Sequence, residues 1–141
     1  MRFVDNYLGY LLGQANHAVY KQFARHVQSE GLSGTEWRVL AVLHAGESLS
    51  VSALAQEVLS KQPTLTKLVQ RMQARGWVAC QADAADQRRT LVDITPAGRQ
   101  VATRLLAKAK RQEARLLRSF DAAEIGALKA ALLKIAAEPS Q

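Results

Sequence analysis

Ser60-Lys61-Gln62-Pro63-Thr64-Leu65-Thr66-Lys67-Leu68-Val69-Gln70-Arg71-Met72-Gln73-Ala74-Arg75-Gly76 is the stretch from which the fold is read. Pro63 suits the first turn of a helix, where its missing N–H leaves no bond unmade. Gly76 suits the position just past the last turn, where a left-handed backbone stops the helix. Between them Leu65, Leu68, Val69 and Met72 follow the i, i+3, i+4, i+7 spacing of one buried face. The opposite face carries Pro63, Thr66, Lys67 and Gln70, flanked by Thr64 and Arg71, with no carboxylate among them. An ordinary solvated face mixes both signs of charge. Hydroxyl and amide groups read base edges in a major groove, while Lys and Arg hold phosphates. The stretch therefore reads as a recognition helix, its DNA-contacting residues being Lys61, Gln62, Pro63, Thr64, Thr66, Lys67, Gln70 and Arg71.

Upstream, Ser50 is set to cap a short helix whose apolar face is Leu54, Ala55 and Val58, and Leu59 to Gln62 form the turn. Two short helices joined by a tight polar turn, the second one basic, make a helix-turn-helix. Downstream of Gly76 the apolar period changes from 3.6 to 2. Trp77–Gln81 and Thr90–Ile94 are strand-like and the segment 82–89 between them is polar, which predicts a β-hairpin wing. Arg88 and Arg89 lie at its basic tip. Arginine in a narrow minor groove is favoured electrostatically, and Asp86 is set either to orient its neighbour or to tie Arg88 up.

The flanks are helical. A long helix is expected from about Asp5 to Glu30, ended by Gly31, with one stripe of Leu8, Leu12, Ala15, Val19 and Phe23. A second stripe holds Tyr10, Gly13, His17, Tyr20 and Ala24. Two stripes imply two packing partners, the second being another subunit. Ser33 and Glu36 have capping-box spacing at the start of the next helix, which Gly46 ends. Thr95-Pro96 opens a helix running to about Ser119, and Asp121 with Glu124 opens the last, to about Ala137. The expected fold is mainly α with a small β-hairpin wing, in a single domain over 1–141 with the winged helix-turn-helix at 32–95.

At 141 residues the chain has about one domain's length, enough to bury a core. A formal charge of +7 and a pI near 10.0 suggest a polyanionic partner, which charge alone leaves open between nucleic acid and an anionic membrane. No apolar run is long enough for a bilayer, and Arg2 and Asp5 precede any apolar stretch without a signal-peptide pattern, so a cytoplasmic protein is expected. The single Cys80 excludes an internal disulfide and fits a reducing compartment.

The chain resembles the MarR family of winged-helix transcriptional regulators over nearly its whole length. The likeness is carried by Leu32-Ser33-x-x-Glu36-Trp37-x-x-Leu40, Leu54-Ala55, and Ser60 through Gly76. Its most specific part is Asp86-x-Arg88 followed by Val92-x-Ile94-Thr95-x-x-Gly98, which is similar to the family's wing signature. The resemblance implies a homodimer whose dimerisation helices are 1–31 and 96–141, with two recognition helices presented to successive major grooves of a palindromic operator. It also implies a small-molecule pocket. One departure is Cys80, where family members often carry a basic residue.

Tyr10, His17, Tyr20, Trp37 and His44 form the candidate ligand-binding set. Aromatic walls with a few convergent donors suit a small aromatic carboxylate, and the alternative is plain core packing between the first two helices. Histidines 17, 26 and 44 lack metal-ligand spacing, so no metal and no cofactor is expected. No nucleophile motif, paired carboxylates or Gly-rich phosphate loop points to an enzyme. The resulting expectation is a sequence-specific DNA-binding repressor released by a small ligand. Its rivals are a ligand-independent architectural DNA binder and a winged-helix protein-interaction module, the latter disfavoured by the acid-free face.

Overall fold

The computed structural model describes residues 1–139. A short 3-10 helix at Phe3–Asn6 precedes α1 (Leu8–Ser29) and α2 (Gly34–Leu43). Strand β1 (Leu49–Ser50), α3 (Val51–Glu57), α4 (Gln62–Ala74), β2 (Val78–Ala82) and β3 (Thr90–Ile94) follow, and α5 (Pro96–Leu116) and α6 (Ala122–Ala136) close the chain. The last two positions of the 96–141 segment lie outside the described residues.

Local chemistry starts most of these helices. The Ser33 hydroxyl accepts from the Glu36 amide at 3.2 Å while Glu36 accepts from the Ser33 amide at 2.8 Å, a reciprocal box opening α2. Ser50 caps α3, Thr95 caps α5, and Asp121 with Glu124 forms a second reciprocal box on α6. Gly76, at φ +83°, takes the left-handed turn that ends α4 and starts β2. Leu65, Leu68, Val69 and Met72 are all buried, as their spacing requires.

One expectation needs correction. The first helix does not start at Asp5, because the Asp5 carboxylate turns back to accept from the Arg2 amide and guanidinium. Tyr7 is then extended at φ −93°, ψ 123°, and the α-helix begins at Leu8. The expected hairpin of β2 and β3 is present, and it gains a third strand. Leu49 and Ser50 pair with Val92 and Leu91, making a three-stranded antiparallel sheet in the order β1-β3-β2. A two-residue strand is too short to show a period, and its pairing is decided only by the tertiary structure.

The core lies inside the winged helix-turn-helix. Leu40, Leu43, Leu54, Leu65, Met72, Val78 and Val92 are fully buried there, joined by Val27 from the end of α1 and Leu105 from α5. Each such side chain contributes about 1.5–3 kcal/mol by leaving water, the main force holding α4 and the wing in place. No helix among the described residues is long and apolar enough to cross a membrane.

Candidate nucleic-acid interface and neighbouring cavity

The buried stripe of α4 turns Pro63, Thr64, Thr66, Lys67, Gln70 and Arg71 outward, and all six are exposed. Lys61 is the N-cap and makes no side-chain capping bond, and no acid occupies the first turn. A cation at a helix N-terminus opposes the macrodipole, and the uncapped amides there are free for an outside anion. The Thr66 hydroxyl donates back to the Gln62 carbonyl at 3.0 Å, which leaves its lone pairs outward. Pro63, Thr64, Lys67 and Arg71 line one shallow surface hollow of about 190 Å³.

On the other flank of α4, a groove of about 330 Å³ runs between Gln62, Thr66 and Gln70 and the wing residues Arg88 and Arg89. Helix and wing therefore present their polar groups across one trough. Ser52, Gln73 and Thr90 also line it, positions not singled out by sequence, because their entry depends on how helix and sheet meet. Asp86 accepts from the Arg88 amide and from its Nε, both at 3.1 Å, and Nη2 adds a 3.4 Å contact. The Arg88 guanidinium holds the Asp86 carboxyl below the usual carboxylate range. Arg88 is still 91% exposed, so its fork is steadied rather than hidden. Cys80 lines the same groove, and burial followed by the nearby Asp93 pushes its thiol up, away from the reactive thiolate.

A second concavity of about 450 Å³ opens between α1, α2 and α5. Of the five aromatic and histidine candidates, His17, Tyr20 and Trp37 line it, with Phe23 beneath. Phe23 and Trp37 meet at a centroid distance of 5.5 Å, tilted by 55°. Tyr10 and His44 are not among its lining residues. Tyr10 sits a turn nearer the start of α1. His44 is the C-cap of α2, its Nε2 3.3 Å from the Thr103 hydroxyl and its carbonyl accepting from Arg99. Sequence reasoning missed Arg38, which lines the cavity and whose guanidinium donates to the Thr35 hydroxyl at 3.2 Å. Adjacent helix positions do not share a face, so its neighbour Trp37 gave no signal for it. Gln112 is also at the cavity and donates to the Val19 carbonyl at 2.9 Å. Among the described residues no three His, Cys, Asp or Glu side chains come together as a metal site.

Architecture and surface together define a winged helix-turn-helix DNA-binding protein. The chain belongs to the MarR family of transcriptional regulators. The MarR family model matches residues 30–89. A MarR family transcriptional regulator from Silicibacter pomeroyi DSS-3 is 37% identical, with 96% of this chain and 98% of that one covered and a TM-score of 0.84. The transcriptional activatory protein BadR of Rhodopseudomonas palustris is 35% identical over 99 residues, 68% of this chain. The chain spans 57% of BadR's length. Bordetella bronchiseptica BpsR, whose structure concerns regulation of its DNA binding by 6-hydroxynicotinic acid, shares the fold at 24% identity, 99% coverage of both chains and a TM-score of 0.86.

Proposed function

We propose that this regulator is a repressor, binding a palindromic operator as a homodimer and leaving it when a small aromatic carboxylate occupies the cavity. The observation that carries the DNA half is the exposed, acid-free face of α4 standing across a groove from Arg88 and Arg89. In this reading Thr66 and Gln70 face base edges, Lys61, Lys67 and Arg71 hold phosphates, and Arg89 with the Asp86-steadied Arg88 enters the minor groove. Residues 1–141 act as one domain, the helices of 1–31 and 96–141 pairing with a second copy while 32–95 reads DNA. Leu128 and Leu132, 44% and 41% exposed one turn apart on α6, support that pairing.

The ligand half rests on cavity chemistry. Rings of His17, Tyr20 and Trp37 offer stacking surfaces, and Arg38 offers a charge-assisted bond to a carboxylate. Glu113 at the rim is bridged by Lys129 at 2.9 Å, which offsets its repulsion of an anion. BpsR's response to 6-hydroxynicotinic acid supports the same ligand class. The ligand would favour a dimer whose two α4 helices no longer match grooves about 34 Å apart. A coupling of about 2–3 kcal/mol would weaken operator binding about 30- to 150-fold.

Titrating 4-hydroxybenzoate and 6-hydroxynicotinate against the protein–operator complex tests this. Release by either at millimolar concentration, blunted by Trp37→Ala or Arg38→Ala with DNA affinity spared, is the expected result. If both compounds leave the complex intact, the cavity is core packing only. For the DNA half, Lys67→Ala should lower the salt dependence of binding by about one ion, while Gln70→Ala should cost about 1–3 kcal/mol at one base position.

A further inference from the structure

Arg75 belongs to the same basic stretch as Lys67 and Arg71, yet its guanidinium is engaged within the protein. It is the C-cap of α4. Its Nη1 donates to the Gly31 carbonyl at 2.9 Å, and its Cζ lies 3.9 Å from the centre of the Trp77 ring. Gly31 has φ +78°, and a Cβ there would come within 2.8 Å of Arg75 Nη2. The positive φ favours glycine at 31, and a side chain there would also push the flexible end of Arg75 aside.

The neighbours of this contact are tied as well. Glu30, one residue before Gly31, accepts from Arg104 Nε at 2.8 Å and Nη2 at 3.0 Å, which fixes the end of α1 to α5. The Thr95 amide donates to the Trp77 carbonyl at 3.1 Å and the Thr95 hydroxyl to the Gly76 carbonyl at 2.6 Å, fixing the start of α5 to the end of α4. One joint therefore gathers the end of α4, the end of α1 and the start of α5. The same α1 and α5 meet again at the cavity, through Gln112 and the Val19 carbonyl.

We propose that Arg75 is a positioning residue that clamps α4 to the α1–α5 frame and transmits a change of that frame to the DNA-reading face. The transmitting half rests on the reading of the cavity as an effector site. The mechanics favour it: α4 is held at its C-terminal end, and Lys61 to Lys67 of its DNA-facing set lie toward the other end, with Gln70 and Arg71 nearer the clamp. For a helix of this length, roughly 20 Å, a tilt of roughly 5° about the clamp moves the far end by nearly 2 Å. That displacement exceeds the tolerance of a hydrogen bond to a base edge.

Operator affinity measured across a salt series separates a clamp from a phosphate contact. Arg75→Gln should weaken operator binding about 3- to 10-fold with the wild-type slope of log affinity on log salt, whereas Lys67→Gln should lower that slope by about one. Combined with Arg104→Gln, its loss should be smaller than the product of the single losses, because both variants release the same joint. A slope reduced by about one, together with multiplicative losses, would make Arg75 a phosphate ligand and overturn the proposal. So would wild-type affinity in Arg75→Gln. Arg75→Lys, which keeps a donor for Gly31 but loses the planar stack on Trp77, should fall between wild type and Arg75→Gln, and serves in the same series if the glutamine variant does not fold.

Calorimetry with 4-hydroxybenzoate and 6-hydroxynicotinate supplies the second readout. Arg75→Gln should bind the active compound as tightly as wild type, while the compound's effect on operator affinity shrinks at least about threefold. Unchanged binding with unchanged release overturns the transmitting role. If neither compound binds the wild-type protein, the cavity reading fails on its own, and the slope and the double variant still decide the clamp.

Discussion

The winged helix-turn-helix and the outer helices are made of similar residues and end up in opposite states. Between Leu32 and Val92 the apolar side chains of α2, α3, α4 and the sheet close on one another, and most of the fully buried residues lie there. On α6 no residue is buried, and Leu133 is 72% exposed. Along α1 only Phe23 and Val27 are buried, whereas Leu8, Leu11 and Val19 remain about half exposed. One region satisfies its apolar surface within the chain. The other presents apolar stripes, and if a second copy covers them as proposed, its stability would depend on protein concentration while the core's would not.

The largest effect that would sharpen this contrast is in the core. Leu65→Ala, at a site with no exposure, should lower unfolding free energy by about 2–5 kcal/mol at any protein concentration, measured by chemical denaturation. Leu132→Glu on α6 should act differently. It should leave the unfolding of the winged part nearly unchanged while shifting sedimentation toward monomer and weakening operator binding about 10- to 100-fold, or about 1.4–2.7 kcal/mol. Should the variant remain dimeric with full affinity, α6 is not the dimer seam.

A smaller effect lies within the outer helices, where the end of α1 meets α5. Arg104 holds the Glu30 carboxyl below its ordinary range, first through its hydrogen bonds, so the folded state binds fewer protons than the unfolded one as pH falls. The contribution is full above the ordinary carboxylate range and is lost as pH drops through the lowered value. Glu30→Gln should flatten the acid limb of stability in that window, with neutral-pH stability close to that of Arg104→Gln, which loses the same pair. Identical acid limbs for wild type and variant would break the link between Glu30 and the frame.

The smallest effect lies in the turn before α4. Leu59 adopts φ 59° with 89% of its surface exposed, a left-handed conformation costly for a branched side chain. Leu59→Gly should relieve that strain, offset in part by the extra freedom of the unfolded glycine, for a net gain of a few tenths of a kcal/mol, roughly. A thermal scan showing clear destabilisation would mean that the leucine side chain contributes contacts that its exposure hides.

Much of this was legible beforehand, and for local reasons. A capping box needs two residues three apart, so Ser33 with Glu36 and Asp121 with Glu124 announce their helices without any neighbour. The outward face of α4 follows from a fixed period of 3.6 once Leu65, Leu68, Val69 and Met72 are set inward. The start of α1 was misread because Asp5 finds a closer partner in Arg2, a contest between two short-range bonds that spacing alone does not rank.

What the sequence by itself determined is therefore the set of elements, the face each helix turns inward, and the basic, acid-free surface of α4 beside a wing. Only the tertiary structure decided which faces meet. It brought His17, Tyr20 and Trp37 to one cavity with Arg38, left Tyr10 and His44 out of its lining, and set Arg75 against Gly31 and Trp77. Periodicity fixes the phase of a side chain around its own helix axis. It carries no information about the crossing angle and offset of a second helix, and every contact in the cavity and at the Arg75 joint depends on those two quantities.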